Sequence, residues 1–295
     1  MAASGRCCSI SGGGRTTGSG SEPLDDGVRL CKRGDVVMVT VTHRLNLFGH
    51  LSLAQLGDAS FADSGNAGQL DLIQALQWVC RHAAEFGGCV GNVTVFGQSG
   101  GGAKIATLMA MPATRGLFHR AWTMSGQHVT VAGPRAATQH AQLLPDALKM
   151  SPSEVARMHA LPVAQLLAAA QVRDPSPVEN NALYFGPVLD ARKVPVHPFW
   201  PTAPLQSARV PMVIGNTRDA TRGFLGNDAK NFALRLQRCS PRRRRSNTWI
   251  CCRRWSLPNT GGSIGSTRRR SCFSRQPPPV AHGAAPPEPR LLRGR

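Results

Sequence analysis

Apolar residues along the chain occur in short runs that alternate with segments of helical periodicity. Four runs are predicted to be strands because they are rich in β-branched, aromatic or other apolar residues: 36–42, 93–96, 120–126 and 210–216. The first run is almost continuously apolar, as expected for a strand that is covered on both faces in a parallel sheet. Strands that alternate with helices at this spacing predict an α/β fold with a mainly parallel sheet.

Helical periodicity is present in three segments. Apolar residues recur at helical spacing from Asn66 to Phe86, and Gly87-Gly88 ends that pattern. A second helix is predicted from Ala103 to about Met111. Residues 135–171 are predicted to be helical, with breaks at Ser151-Pro152-Ser153 and at Pro162. No window approaches about 18 apolar residues, so the sequence predicts no membrane span.

Positive charge is concentrated at one end of the chain. The formal net charge is +19, but residues 238–295 contain 14 arginines and one acid, Glu288, and so contribute +13. Apolar periodicity also ends at about Leu234. We therefore predict three parts: an unstructured or degraded N-terminus at 1–11, a partial α/β domain at 12–234, and a disordered Arg/Pro-rich tail of low complexity at 235–295.

The nine cysteines do not form a recognisable metal or disulfide pattern. None of them belongs to a C-x-x-C pair, so no zinc site is predicted. A chain of 295 residues with 41% hydrophobic content does not need a disulfide framework to be stable. Residues 1–11 lack the long apolar run of a signal peptide. These features favour reduced thiols and a cytoplasmic protein.

The pentapeptide Gly97-Gln98-Ser99-Gly100-Gly101 has the pattern G-x-S-x-G and lies between a predicted strand and a predicted helix. That succession is the nucleophile elbow of hydrolytic enzymes. Its glycines let the strand and helix pack around a sharp turn, which lifts the serine hydroxyl toward the positively polarised N-terminus of the helix. Ser99 is therefore the candidate nucleophile.

A glycine triplet, Gly12-Gly13-Gly14, lies upstream of the elbow. Taken alone, it fits a flexible linker. It is not a phosphate-binding loop, because no Gly-Lys-Ser/Thr follows it. Together with an elbow downstream, it is better explained as a segment whose backbone amides approach a substrate oxygen without interference from a side chain.

Several further motifs accompany the elbow in a recognisable order. They are F-G-G-x-x-x-x-V-x-V-x-G-Q-S-G-G at 86–101, the glycine triplet, H-R-L-N-L-F-G at 43–49, D-S-G-N-A-G at 63–68, M-S-G at 124–126, F-G-P-V-L-D at 185–190 and I-G-N-T-R-D at 214–219. On these motifs the chain, from about Gly12 to Phe232, resembles the type B carboxylesterase family of α/β-hydrolases. That family includes the bacterial para-nitrobenzyl-type esterases and the cholinesterases.

The resemblance implies an incomplete α/β-hydrolase fold, in which Ser99 attacks the carbonyl of a small carboxylic ester and becomes acylated. It also implies that backbone N–H groups of Gly13, Gly14 and Gly100 hold the developing oxyanion. No metal or organic cofactor is expected. Ser125 fits the family's second, buried serine near the site, and it equally fits a serine at a strand end that caps a turn.

Two positions of the catalytic triad depart from the family pattern. A triad in this fold follows the chain order Ser, Asp/Glu, His. The family's acid position corresponds to Ala220, so that only a local shift could bring Asp219 into this role. The only later histidine is His282, in the tail, and the other eight are predicted to be surface or packing residues. No triad acid or histidine is therefore assigned, and we expect impaired activity.

The resemblance also weakens at the two ends of the matched region. Ser11 occupies the position of the histidine that precedes the family's glycine triplet, and Arg15 replaces a common aromatic residue. Family members are considerably longer. We therefore expect a chain that is truncated or mis-framed at both ends.

Three functions remain open from the sequence. The first is an impaired carboxylesterase, and the second is a catalytically inactive esterase-like binding protein. The third is a nucleic-acid or acidic-surface binder that acts through the arginine-rich tail, where few aromatic residues are interleaved, so that only non-specific attraction is expected. The sequence indicates no specific nucleic-acid partner and no oligomeric state.

Overall fold

Five parallel strands form the sheet at the centre of the fold. The computed structural model describes residues 15–126, 128–174 and 185–218, and the backbone of residues 4–10. The sheet has the order β2-β1-β3-β4-β5, and every neighbouring pair is parallel. The strands are β1 (Ser4–Ile10), β2 (Val36–Val41), β3 (Gly88–Gln98), β4 (Arg120–Met124) and β5 (Met212–Gly215).

Helices connect these strands. The α-helices are α1 (Val28–Gly34), α2 (Asn46–His50), α3 (Ala67–His82), α4 (Gly100–Ala110), α5 (Pro134–Ala147) and α6 (Val163–Ala169). Short 3-10 segments occur at Pro23–Asp25, Ala59–Phe61, Ser64–Asn66, Ala83–Phe86, Pro112–Thr114, Pro152–Ala160 and Leu205–Ser207. Within the described residues, no helix combines the length and apolar character needed to cross a membrane. The architecture is the predicted one, a parallel sheet flanked by helices.

The N-terminal segment differs from its prediction. We expected residues 1–11 to be unstructured, and this is wrong for residues 4–10, which form β1 between β2 and β3. The strand pairs with both neighbours, with Ser9 opposite Thr40 on one side and Phe96 on the other. Backbone pairing on two sides therefore makes this segment a strand although its sequence lacks an apolar pattern.

The strand predicted at 36–42 is present as β2, but it is less buried than a strand covered on both faces would be. β2 is an edge strand, and Val36 to Val39 are only half-buried. An edge strand has one strand neighbour, and it is less enclosed than a central strand for that reason. β3 is the central strand that the pattern at 93–96 indicated, and Val93 and Val95 are fully buried.

The predicted helices are confirmed, with small changes at their ends. The segment 66–86 forms α3 followed by a 3-10 turn, and Gly87 ends it with φ +76°, a left-handed conformation that glycine adopts without strain. α4 begins at Gly100, three residues before the predicted start. The long helical region is divided into α5, a 3-10 segment and α6, as its prolines indicated.

The main core lies between the sheet and two helices, α3 and α4. Its buried members include Leu72, Ile73, Leu76 and Val79 of α3, Val93 and Val95 of β3, and Ile105 and Leu108 of α4. A second cluster joins α2, α5, α6 and the 3-10 segment Pro152–Ala160 through Leu47, Leu144, Val155 and Leu166. The main cluster fixes α4, and therefore the start of that helix, against the carboxyl ends of the strands.

Buried Asn66 joins two of the motifs that were matched in sequence. Its side-chain amide donates to the carbonyl oxygen of Val188 at 2.9 Å and to Asp190 Oδ2 at 3.0 Å. Its amide oxygen accepts the backbone N–H of Val188 at 3.0 Å. Residues 63–68 and 185–190 therefore have a structural role, since they hold the loop before β5 against the N-terminus of α3.

Candidate active site

The strand order creates a topological switch point at the carboxyl ends of β1 and β3. The connections leave these two adjacent strands toward different parts of the sheet, β1 leading to the edge strand β2 and β3 to β4. In open parallel sheets, ligands bind outside the carboxyl ends of the strands at such a switch point. Ser99 follows β3 directly, and in the sequence the glycine triplet begins one residue after β1 ends.

Ser99 has the backbone conformation of a nucleophile elbow. Its φ of +51° and ψ of −121° lie in a region that a residue with a side chain seldom adopts. The backbone N–H of Ser99 donates to the carbonyl oxygen of Met124 at 2.8 Å, and its own carbonyl accepts the N–H of Ala103 at 3.0 Å. The residue is half-buried. The predicted strand, serine and helix succession is thus confirmed, with a serine that is not enclosed by the core.

The helix that follows Ser99 is buried along its whole length. All eleven residues of α4, from Gly100 to Ala110, are buried. Gly100 occupies the first helical position, where backbone N–H groups have no partner within the helix and carry the positive end of the helix dipole. An oxyanion formed at Ser99 would therefore be close to favourable partial charge.

The backbone after β4 approaches the elbow very closely. A Cβ added to Gly126 would lie 2.0 Å from the carbonyl oxygen of Ser99, and one added to Gly102 would lie 3.2 Å from the Cα of Gly126. Contacts below 3.0 Å do not occur for real Cβ atoms. Only glycine fits at position 126, which explains the glycine of the M-S-G motif.

Ser125 serves the turn after β4. Its backbone N–H donates to the carbonyl oxygen of Gly215 at 2.7 Å, and its hydroxyl accepts the backbone N–H of Thr217 at 3.2 Å. Of the two roles left open by the sequence, these contacts favour the strand-end serine that caps a turn. They also hold the start of the segment that leads from β5 toward Asp219.

A cluster of basic side chains is buried beside the elbow helix. Arg15, His43, His50 and Lys104 are each at most 9% exposed. Burial and the Arg15 guanidinium lower the pKa of Lys104 to about 7 and that of His50 to about 3. Burial and the nearby Lys104 lower the pKa of His43 to about 4. Both histidines are therefore neutral at physiological pH.

Several predicted site residues lie outside the described residues. These are Gly13 and Gly14 of the triplet, Asp219, Ala220 and His282. Within residues 15–126, 128–174 and 185–218, no histidine is hydrogen-bonded to Ser99. His119 and His197 there accept backbone N–H groups of Val93 and Val131, as packing residues do. Of the predicted nucleophile and oxyanion-hole residues, Ser99 and its neighbour Gly100 are the two that lie in the described part of the chain.

Sequence reasoning did not assign a role to Gly126, Lys104 or His128. Gly126 lies in the M-S-G motif, but its contact with Ser99 arises only in the folded chain and could not be inferred from the sequence. Lys104 had a clear signal, because it is the only charged residue in the apolar pattern of α4.

A groove of about 550 Å³ between the 3-10 segment Pro23–Asp25, α1 and β2 contains none of the predicted site residues. Across the described part of the chain, no cluster of His, Cys, Asp or Glu could hold a metal.

A strained serine between a central parallel strand and a buried helix, at a switch point of the sheet, defines an α/β-hydrolase. The chain belongs to the carboxylesterase family, whose model matches residues 8–250. The predicted fold class and family are therefore confirmed.

Relatives agree with this assignment over much of the chain. The para-nitrobenzyl esterase of Bacillus subtilis (strain 168) is 40% identical over 217 residues, which are 73% of this chain and 43% of that protein. The liver carboxylesterase of Sus scrofa is 42% identical over 123 residues, 42% of this chain and 20% of that protein.

Solved structures give the same result. The carboxylesterase EST55 of Geobacillus stearothermophilus superposes with a TM-score of 0.69 at 32% identity, covering 80% of this chain and 50% of that structure. A structure described as PNB esterase gives a TM-score of 0.67 at 34% identity, over 81% of this chain and 52% of the other. The chain thus spans about half the length of these relatives or less.

Proposed function

We propose that the chain is a serine hydrolase of small carboxylic esters, with Ser99 as the nucleophile that forms an acyl-enzyme. The single observation that carries this proposal is the geometry of Ser99, which combines a strained backbone, a half-exposed side chain and the N-terminus of α4. The B. subtilis relative, described as a para-nitrobenzyl esterase, supports the same class of substrate.

In the proposed reaction, the Ser99 hydroxyl oxygen adds to the ester carbonyl carbon while a general base takes the hydroxyl proton. The bond between that carbon and the alcohol oxygen then breaks, and the alcohol leaves with the proton. Water adds to the acyl carbon in the second half-reaction, which releases the carboxylic acid and restores the serine. The backbone N–H groups of Gly13, Gly14 and Gly100 would stabilise the oxyanion, and one such donor is typically worth about 3–4 kcal/mol.

We propose further that turnover is slow. The family's acid position is Ala220, which cannot orient an imidazolium, and His282 is the only histidine that follows it. A serine without its general base and acid retains only the catalysis supplied by binding and by the oxyanion hole. The contrasting proposal, an esterase-like protein that binds but never acylates, shares the fold and predicts no covalent intermediate.

Labelling with a fluorophosphonate probe tests the proposal. Wild-type protein, shown to be folded by a cooperative thermal transition, should gain the mass of one phosphonyl group, and Ser99→Ala should not. Ser60→Ala, which removes an exposed serine hydroxyl bound to Asp58, should be labelled like the wild type. A folded wild type that remains unlabelled would refute the hydrolase and favour the binding protein.

A further inference from the structure

Arg15 is a buried charge immediately after the glycine triplet. The residue is 3% exposed and has φ +69°, a left-handed conformation that is uncommon for a residue with a long side chain. Such a conformation costs free energy of its own and persists only where the surroundings hold it in place. Arg15 is thus the first described residue after the triplet, and the interior of the protein fixes its position.

The guanidinium of Arg15 contacts a residue that is remote in sequence. Its Nη2 lies 3.3 Å from Nδ1 of His128. A guanidinium has only N–H donors, so the ring nitrogen must be the acceptor and the imidazole must be neutral. Desolvation and the Arg15 charge lower the pKa of His128 to about 4, although the residue as a whole is exposed. The acceptor is therefore available at physiological pH.

His128 belongs to the segment that supports the nucleophile. It follows Gly126 by two residues, and the Cα of Gly126 abuts the Ser99 carbonyl. The strand before this segment supplies the Met124 carbonyl that accepts the Ser99 N–H. Arg15, the residue after the triplet in the sequence, therefore contacts His128 two residues beyond the glycine that abuts Ser99.

The geometry points to Arg15 as a positioning residue, which by donating a hydrogen bond to His128 ties the backbone that follows the glycine triplet to the segment that supports Ser99. This inference rests on the proposed function, because the separation between the triplet and Ser99 matters only if both act on one substrate carbonyl. Arg15 is assigned no direct role in the chemistry. Its effect is on placement, where an error of about 1 Å in a reacting geometry can reduce the rate by about 100-fold.

The test compares two substitutions that break the contact with one that retains it. Arg15→Met removes the donor and keeps an unbranched side chain, while His128→Phe removes the acceptor. His128→Gln keeps an acceptor in the form of an amide oxygen. Arg157→Met is the control, since it removes an arginine paired with Glu154 at the surface. The rate constant for fluorophosphonate labelling of Ser99 is measured at a temperature at which every variant is fully folded.

Arg15→Met and His128→Phe should each reduce the labelling rate by about 10- to 100-fold. The double variant should be no slower than the slower single variant, because both substitutions remove the same interaction. His128→Gln should label within about threefold of wild type, and the control should match wild type. Full labelling rates in folded Arg15→Met, or multiplicative losses in the double variant, would overturn the inference.

Hydrogen exchange distinguishes failure of this inference from failure of the proposed function. Peptides that span residues 11–18 should exchange faster, and to the same extent, in Arg15→Met and in His128→Phe. If folded wild type is not labelled, the hydrolase proposal fails, and exchange alone then decides whether the Arg15–His128 contact holds the segment. Unchanged exchange in both variants would show that it does not.

Discussion

The carbonyl oxygen of Ser99 and the Cα of Gly126 are in direct backbone contact, and a methyl group at position 126 would lie 2.0 Å from that oxygen. Ser99 is therefore supported by the segment after β4 as well as by its own strand and helix. This contact joins residues 27 positions apart, and it depends on the absence of one side chain.

Gly126→Ala should displace the segment after β4 from the elbow. We expect the free energy of unfolding to fall by about 2–3 kcal/mol, as for other overpacked positions, together with a loss of fluorophosphonate labelling. Chemical denaturation and labelling rates measure the two effects. Gly133→Ala is the control: a Cβ there meets nothing within 4 Å, so we expect a change within about 0.5 kcal/mol. Equal free energies of unfolding for the two variants would contradict the close backbone contact between Gly126 and Ser99.

The protein should be more stable with glycine than with alanine at position 99. Alanine keeps the strain of the conformation at φ +51° and ψ −121°, whereas glycine adopts it freely. We expect Ser99→Gly to exceed Ser99→Ala by about 1 kcal/mol in unfolding free energy, after allowance for the greater flexibility of the unfolded glycine chain. At Ser60, which has no positive φ, the order of the two variants should be reversed. Denaturant unfolding of the four proteins provides the comparison.

These two predictions show which parts of the site were accessible from sequence. Strand, serine and helix are contiguous, and each has its own local pattern, so the elbow could be predicted at Ser99. β1 could not, because pairing with β2 and β3 makes residues 4–10 a strand and the apolar pattern there is absent. The support from Gly126 and the contact between Arg15 and His128, 113 residues apart, arise only when distant loops meet at the ends of the strands.

Asn66→Asp should destabilise the protein strongly. The substitution places an oxygen where an amide now donates to Val188 and Asp190, so that a buried carbonyl loses its donor and two carboxylates meet. A loss of about 2–4 kcal/mol in unfolding free energy is expected from the unsatisfied groups. Asn92→Asp provides the control, because Asn92 accepts from Arg120 at the surface through its side-chain oxygen, and a carboxylate can also accept. A small effect at position 66 would mean that the loop before β5 does not depend on this residue.

Lys104 should make the free energy of unfolding depend on pH in the alkaline range. Its pKa falls from 10.5 in the unfolded chain to about 7 in the folded protein, so only the unfolded state binds the proton in this interval. The free energy of unfolding should therefore rise with pH between 7 and 10.5, by about 1.4 kcal/mol per pH unit at most. Urea denaturation of wild type and Lys104→Met across this range tests the assignment. The increase in unfolding free energy per pH unit should be smaller in Lys104→Met than in wild type by up to about 1.4 kcal/mol. Identical pH dependence in the two proteins would contradict the lowered pKa of Lys104.

The complete burial of α4 has a consequence for how the site can vary. A helix that is enclosed on all sides has no free direction in which to slide, so Ser99 at its start has a fixed position relative to the sheet. If Ser99 is the nucleophile of an esterase, as proposed, adaptation to esters of different size must come from the segments that surround Ser99 at the ends of the neighbouring strands. Variation in those segments could then alter substrate selectivity while the position of Ser99 is unchanged.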